Sequence, residues 1–465
     1  MRRIQTAALI LAFSSCEVDP EREVDQQLPS EVTFAEHIAP IVHQHCTPCH
    51  RPGQPGPFSL ITYEDVRKRA RTIRLVTGTK LMPPWPADRT YRSFAGERGL
   101  AEDEIALIAD WVDNGALPGD AGKVPPPPTF PSKSDLGKPD LVLKMVEPYT
   151  IEGNNRDHFV VTKIPIELTQ DRTIRAIEFV PDNTDLLHHM NAHLVNYRPG
   201  AKARMDGGEH FVDSQAYTSA QIYERLDLLN DDGSEPVLSP SVCNYLPGVT
   251  GVMYPENVGG WHVNRKSALL IKDIHYGPTP KEQTDQSTFN IFFASKKPER
   301  PVREVIMGTL STLIRGKPIA PINEPLTIPP GVTKKFSASL TISRDLSLLT
   351  VNPHMHLLGK SFLAYAVDTR GDTIPLVKIP RWDFRWQYFY TFKKMLRIPK
   401  GSTIYCEGEY DNTSDNPNNP FDPPQAISGF DGSMKTTDEM FQFIISYLVY
   451  QQGDEEISLE GIAAD

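Results

Sequence analysis

The sequence predicts a multidomain chain: a small all-α domain followed by two all-β sandwiches of jelly-roll type. Three observations carry this. Up to about residue 118 apolar residues recur at helical spacing; four consecutive prolines, Pro125–Pro128, then break the chain; beyond them apolar and polar residues alternate as in strands. A length of 465 residues leaves room for about three domains. Counts of 42 prolines and 30 glycines favour turn-rich β structure over long helices. The net charge of −11 argues against broad nucleic-acid binding.

Residues 1–29 read as an export signal and tether. Arg2 and Arg3 precede the apolar run Ala7 to Phe13, and Ser14 and Ser15 lead to Cys16. This resembles a bacterial lipoprotein signal, with Cys16 as the lipidated residue, and implies a periplasmic or cell-surface protein. No other segment has an apolar run long enough to span a membrane.

Residues 30–118 form the expected helical domain. In "TFAEHIAPIV", Phe34, Ile38, Ile41 and Val42 share one helix face. "YEDVRKRARTIRLV" reads as a second helix whose basic face carries Arg67, Lys68, Arg69, Arg71 and Arg74. It is a solvated face or a dock for an acidic redox partner. "AEDEIALIADWV" is a third, with Ile105, Ile108, Trp111 and Val112 on one side and acids in its first turn.

The first helix runs into Cys46-Thr47-Pro48-Cys49-His50, a CxxCH motif. Such a motif serves haem attachment, zinc or thiol exchange. Zinc asks for a second Cys or His pair downstream, and thiol exchange for a βαβ context; neither stands here. A haem bound through Cys46 and Cys49, with His50 on its iron, needs a sixth ligand or an open site, and Met82 in "LMPPWPAD" is the expected ligand, the other reading being a core methionine. The segment resembles a class I cytochrome c. His43 and His45 are expected on the surface.

Residues 119–139 are the Pro-rich linker, expected to be stiff. Beyond it, "FSASLTIS" is the cleanest strand: Phe336, Ala338, Leu340 and Ile342 alternate with Ser337, Ser339, Thr341 and Ser343. Further strands are expected in "HFVVTKIPIEL", "TIRAIEFV", "SALLIKDIHYG", "FNIFFAS" and "FQFIISYLVY". A break in "SKKPERPVREV" divides them into sandwiches at 140–298 and 299–465.

Histidines punctuate this half. His188 and His189 are adjacent, so they share one metal only at a bulge or a strand end. His275 ends an apolar strand. His354 and His356 are two apart, which puts two imidazoles on one strand face, a spacing that suits copper or zinc. His193 lies near the first group; His158, His210 and His262 are expected to be structural.

In order, "HHM", "HYG", "HMHLLGK" and "TTDEMFQFII" resemble the motifs of the copper type II, ascorbate-dependent monooxygenases, over about residues 140–460. That family includes the peptidylglycine α-hydroxylating and dopamine β-monooxygenases. The resemblance implies two coppers on two packed β-sandwiches. His188, His189 and His275 would bind an electron-transfer copper; His354, His356 and Met440 would bind the catalytic copper. The implied reaction hydroxylates a C–H bond of a small organic molecule with O2, the second electron crossing a cleft between the coppers. Ascorbate supplies electrons singly in the family; here a haem on the same chain, itself reduced by ascorbate or a redox protein, would do so.

Three departures matter. The arginine that holds the carboxylate in the peptide-amidating members is replaced by Asn352, and a tyrosine of theirs by Ile444, which argues against a peptide substrate ending in glycine. The family cysteine after the ligand methionine is Phe441, so its disulfide to the position near Cys406 is missing. Whether Cys406 pairs with Cys243 stays open. The alternative function is a non-catalytic electron-transfer or copper-handling lipoprotein, and a surface-ligand binding module is a further one.

Overall fold

A computed structural model describes residues 28–130, 134–247, 251, 253–255, 258–314, 317–429 and 436–460. Cys16 and the proposed signal lie outside them. The described chain is mostly β-sheet with few helices.

Two pairs of larger antiparallel sheets dominate the β region, beside three two-stranded ones among the described residues. The first pair joins a five-stranded sheet, in the order Phe211–Asp213, His158–Glu167, Lys266–Tyr276, Leu187–Asn196, Val237–Tyr245, to a four-stranded one of Leu141–Lys144, Thr288–Phe293, Arg172–Val180 and Trp261–Val263. Ile164, Met190, Leu194 and Ile271 of one sheet share a core with Leu143, Ile177 and Phe289 of the other. The second pair is Arg303–Gly308, Phe441–Val449, Leu346–Met355 and Tyr390–Ile398 over Thr333–Thr341, Thr403–Asp411, Gly359–Val367 and Thr373–Ile379. Phe336 and Ala338 of the alternating strand point into this core and Ser339 away from it, as the pattern requires.

Strand Leu346–Met355 shows no alternation because both its faces are covered. Leu348, Val351 and Met355 enter the second core, whereas Leu349 enters the first, with Met395 and Leu448. The two sandwiches therefore meet across this strand. The connection between them is pinned by Arg300, whose guanidinium makes a two-pronged contact with Asp454 at 2.7 and 2.9 Å.

The expected helices form around a small core of Phe34, Ile38, Val42, Ile73, Ile108 and Trp111. The basic segment is two helices, Tyr63–Arg67 and Ala70–Gly78, because the backbone leaves the helical region at Arg69. Thr62 and Asp65 cap the first of them reciprocally. The basic face is partly spent inside the chain: Arg69 lies over the Phe58 ring at 4.1 Å and Arg74 pairs with Asp113 at 2.9 Å.

This region does not stand apart on its linker. Ala87 and Phe94 belong to the second sandwich's core. Ala95 N–H donates to Thr391 O at 2.8 Å and Asp88 N–H to Lys378 O at 2.8 Å, so the segment covers strands at two sheet edges. No helix among the described residues is long and apolar enough to cross a membrane.

Candidate metal and haem sites

Helix Ala39–His45 ends at Cys46, whose N–H donates to Val42 O at 2.9 Å. The chain then turns tightly, with His50 N–H on Cys46 O at 2.8 Å. His50 Nδ1–H donates to Phe58 O at 3.2 Å, and its ring stacks on Phe58 at 4.7 Å. That bond fixes the tautomer and leaves Nε2 free as a ligand. Burial pushes the Cys46 thiol up to about 12, with Cys49 and Glu104 adding to the shift. Burial also raises Cys49. Thiols held protonated are poor exchange nucleophiles, which disfavours a redox dithiol. The donor set suits covalent haem attachment. Gly56 has no room for a side chain: a Cβ would stand 2.6 Å from Cys49 O and 2.7 Å from His50 Nδ1. Met82 lies half-buried just past helix Ala70–Gly78, its N–H on Val76 O at 3.0 Å.

His43 corrects an expectation. It is buried at 7% exposure, on the same helix face as Ala39, and neither ring nitrogen has a partner among the described residues. His45 is half-buried and reaches Glu104 at 3.2 Å.

The pairing of Leu187–Asn196 with Lys266–Tyr276 slips on both sides of His189. This irregularity lets two adjacent histidines approach one partner. The His188 and His189 rings lie 4.7 and 5.0 Å from that of His275. Among the described residues, the one metal-sized cluster of His, Cys, Asp or Glu groups is Asp157, His188 and His275. His189 is outside it, and Asp157 was not expected. His275 Nε2–H donates to Asp157 Oδ1 at 2.7 Å, which leaves His275 Nδ1 for a metal. Only the strand pairing of Phe159 with His275 brings Asp157 there, so no local sequence signal marks it.

His354 and His356 stand together, ring centroids 5.0 Å apart, His354 within its strand and His356 just past its end. His354 Nδ1–H donates to Gln387 Oε1, whose amide is oriented by Nε2–H on Phe384 O at 3.0 Å. His356 Nδ1–H donates to Asp438 O at 2.8 Å. Both Nε2 atoms are thereby the lone-pair nitrogens. Burial pushes the His354 imidazole down to about 3, with His356 adding and the Gln387 bond opposing. A neutral imidazole is the form that binds metal.

The "DEM" segment is tied to these histidines. Glu439 accepts from the backbone N–H of His356 at 3.0 Å and of Leu358 at 2.7 Å. Met440 is 2% exposed; its Sδ accepts from Gln442 Nε2 at 3.6 Å, and Gln442 lies opposite His354 in the sheet. Two imidazoles and a thioether are donor types that suit a soft cuprous ion.

The two histidine groups face one another. A cavity of about 70 Å³ is lined by His189, His354, His356, Asn352, Tyr245 and Gln387. Phe384 stands between them, 6.0 Å from the His189 ring and 5.6 Å from that of His356. Burial holds His189 well below the usual range, and His275, His188, His354 and His356 all add to that. Asn244 and Phe389 also wall a larger cavity of about 190 Å³, lined by Trp85, Arg98, Tyr254, Trp261 and Tyr388.

The remaining positions are structural in their contacts. His193 Nδ1 accepts from Ser241 N–H at 3.1 Å, His158 Nδ1 meets Tyr149 Oη at 2.9 Å, and His210 pairs with Glu147 at 2.8 Å. His262 is exposed. Asn352 Nδ2–H donates to Tyr388 O at 3.0 Å; Ile444 is buried. Cys243 and Cys406 are free thiols in different cores, so no bridge joins the sandwiches. Phe441 fills the second core against Phe362 at 5.8 Å.

No family model and no curated protein matches the chain. Among solved structures it is similar to the major capsid protein P2 of bacteriophage PM2, at 8% identity and TM-score 0.22, over 68% of this chain and 99% of that one. It is also similar to the VP2 subviral particle of infectious bursal disease virus, at 11% identity and TM-score 0.17, over 70% and 75%. Empty particles of cowpea mosaic virus match at 8% identity and TM-score 0.23, over 71% and 96%. Overlays this loose carry no argument about the chain's activity.

Proposed function

We propose that the chain is an exported copper-dependent monooxygenase that hydroxylates a C–H bond of an organic substrate with O2, using a covalently attached haem as electron relay. One observation carries the reading: His354 and His356 stand together at a cavity that His189 also lines, their Nδ1 atoms held by Gln387 Oε1 and Asp438 O. His354, His356 and Met440 would hold the catalytic copper. His188, His189 and His275 would hold the electron-transfer copper, with Asp157 on His275. Cys46, Cys49 and His50 would hold the haem, with Met82 as the sixth ligand.

Copper supplies the one-electron chemistry that O2 activation needs. The protein's own residues set the stage for it. Gln387 and Asp438 O fix the tautomers of the two histidines. Asn352 places an amide, not a cation, on the cavity wall, so the site has no clamp there for a substrate carboxylate. The adjoining aromatic-lined cavity of about 190 Å³ takes a small, largely apolar substrate. One oxygen atom goes to product and the other to water, at the cost of two electrons from ascorbate or a redox protein. Cys16 is the proposed lipid anchor.

Metal analysis of the full chain reconstituted with copper and haem should give two coppers and one haem iron. Reaction under 18O2 over a panel of amines, aromatics and fatty compounds should label one product. A chain that keeps no copper overturns the reading. Metals without labelled product would favour the electron-transfer alternative.

A further inference from the structure

One dipeptide, half-buried Gln387 and buried Tyr388, touches the proposed haem segment on one side and a proposed copper ligand on the other. Tyr388 Oη–H donates to Pro84 O at 2.9 Å, two residues after Met82, and its ring lies 5.2 Å from that of Trp85. Tyr388 is 3% exposed, and Arg98 and the Cys49 thiol are both among its electrostatic neighbours. Gln387, joined to it by a peptide bond, accepts from His354 Nδ1–H. Tyr388 O also accepts from Asn352 Nδ2–H at 3.0 Å, two residues before His354.

Other contacts lead toward the first histidine group: Arg98 Nη1–H donates to Pro247 O at 3.4 Å, two residues after Tyr245, which pairs with Met190 beside His189. Thr184 Oγ1–H donates to Gly53 O at 3.1 Å, an exposed bond four residues before His188. Electronic coupling falls off more slowly along covalent and hydrogen bonds inside a packed core than across solvated gaps. The Tyr388 bond is shorter than the first of these and less exposed than the second, and so favours the His354 side.

We propose that Gln387–Tyr388 is the conduit by which an electron enters the His354–His356 site directly from the haem, without passing through the Asp157–His188–His275 cluster. This rests on the haem and copper reading above. The step moves one electron: ferrous haem becomes ferric and cupric copper becomes cuprous, with no covalent bond made or broken. An external reductant, dithionite in the test, restores the ferrous haem.

The test uses the full chain carrying haem and copper, with haem content and copper count measured first. A chain without either metal overturns the parent reading, and this inference with it. With both present, ferrous haem is mixed with cupric copper in a stopped-flow instrument and haem oxidation is followed by its absorption bands. Tyr388→Phe keeps the ring and removes the bond to Pro84; the oxidation rate should fall severalfold, with both midpoint potentials unchanged. Gln387→Leu should slow the same step, and Gln387→Glu, which keeps an acceptor oxygen, should restore it. Thr184→Val should leave the rate as in the parent protein. An unchanged rate in Tyr388→Phe, or slowing by Thr184→Val, overturns the proposal.

Discussion

His275 Nε2 and Asp157 Oδ1 lie 2.7 Å apart although 118 residues separate them in the chain. Hydrogen bonding to His275 is the main force that lowers the Asp157 carboxyl, against its burial. The carboxylate in turn fixes which nitrogen of His275 is left for a metal.

Asp157→Asn should therefore weaken copper binding at the first histidine group by about 10–100-fold. The His354–His356 group should keep its metal, since Asp157 makes no contact there. Competitive chelator titration of the variant separates the two sites. Equal affinity of variant and parent at both would remove Asp157 from the site.

Much of the fold was legible because the β pattern is local. Phe336 and Ala338 alternate with serines and sit in the core as the pattern demands. Strand Leu346–Met355 gave no such signal, because Leu349 is covered by the other sandwich. The HxH spacing was readable for the same local reason: two residues apart on a strand is a fixed geometry. Asp157 and Gln387 were not readable, since strand pairing and the Phe384–Tyr390 approach bring them in. The packing of residues 85–95 on the second sandwich was not readable either. Trp85 and Phe94 pack on Tyr390 at 5.4 and 5.0 Å, a contact that no local pattern marks. His43, expected on the surface, is buried on the helix face it shares with Ala39, four residues earlier.

Burial pushes the Glu304 carboxyl up to about 8, against the pull of the Ser446 hydroxyl, which donates to it at 3.1 Å. In the unfolded chain it titrates near its ordinary 4.5. Between those values the folded state holds the extra proton, so the contribution to stability is complete below pH 4.5 and is lost as pH rises through about 8. Glu304→Gln cannot titrate. Its Tm should decline less than the parent's between pH 5 and pH 9; parallel declines would show that Glu304 is already ionised in the folded chain.

Met440 offers the test of the catalytic assignment. Met440→Ile is nearly volume-conserving in a buried position, so stability should change by less than about 1.5 kcal/mol. The soft thioether is lost, and with it the preference for cuprous copper. Haem reduction and metal at the first histidine group should persist while product formation collapses. Undiminished product would place the oxygenating site elsewhere.

Glu439 is the last element of the same construction. Its carboxylate takes the N–H groups of His356 and Leu358, and burial pushes its carboxyl up to about 8 against those bonds. Glu439→Ala leaves two buried donors unpaired, at about 1–3 kcal/mol each, and frees the chain just where His356 must be aimed. The His354–His356 group should lose copper although neither histidine is altered, and Tm should fall. Glu439→Gln keeps one acceptor oxygen and should recover part of both losses. Copper content measured beside Tm separates aim from bulk stability: Glu439→Ala protein that is less stable but still fully loaded would limit Glu439 to holding the fold.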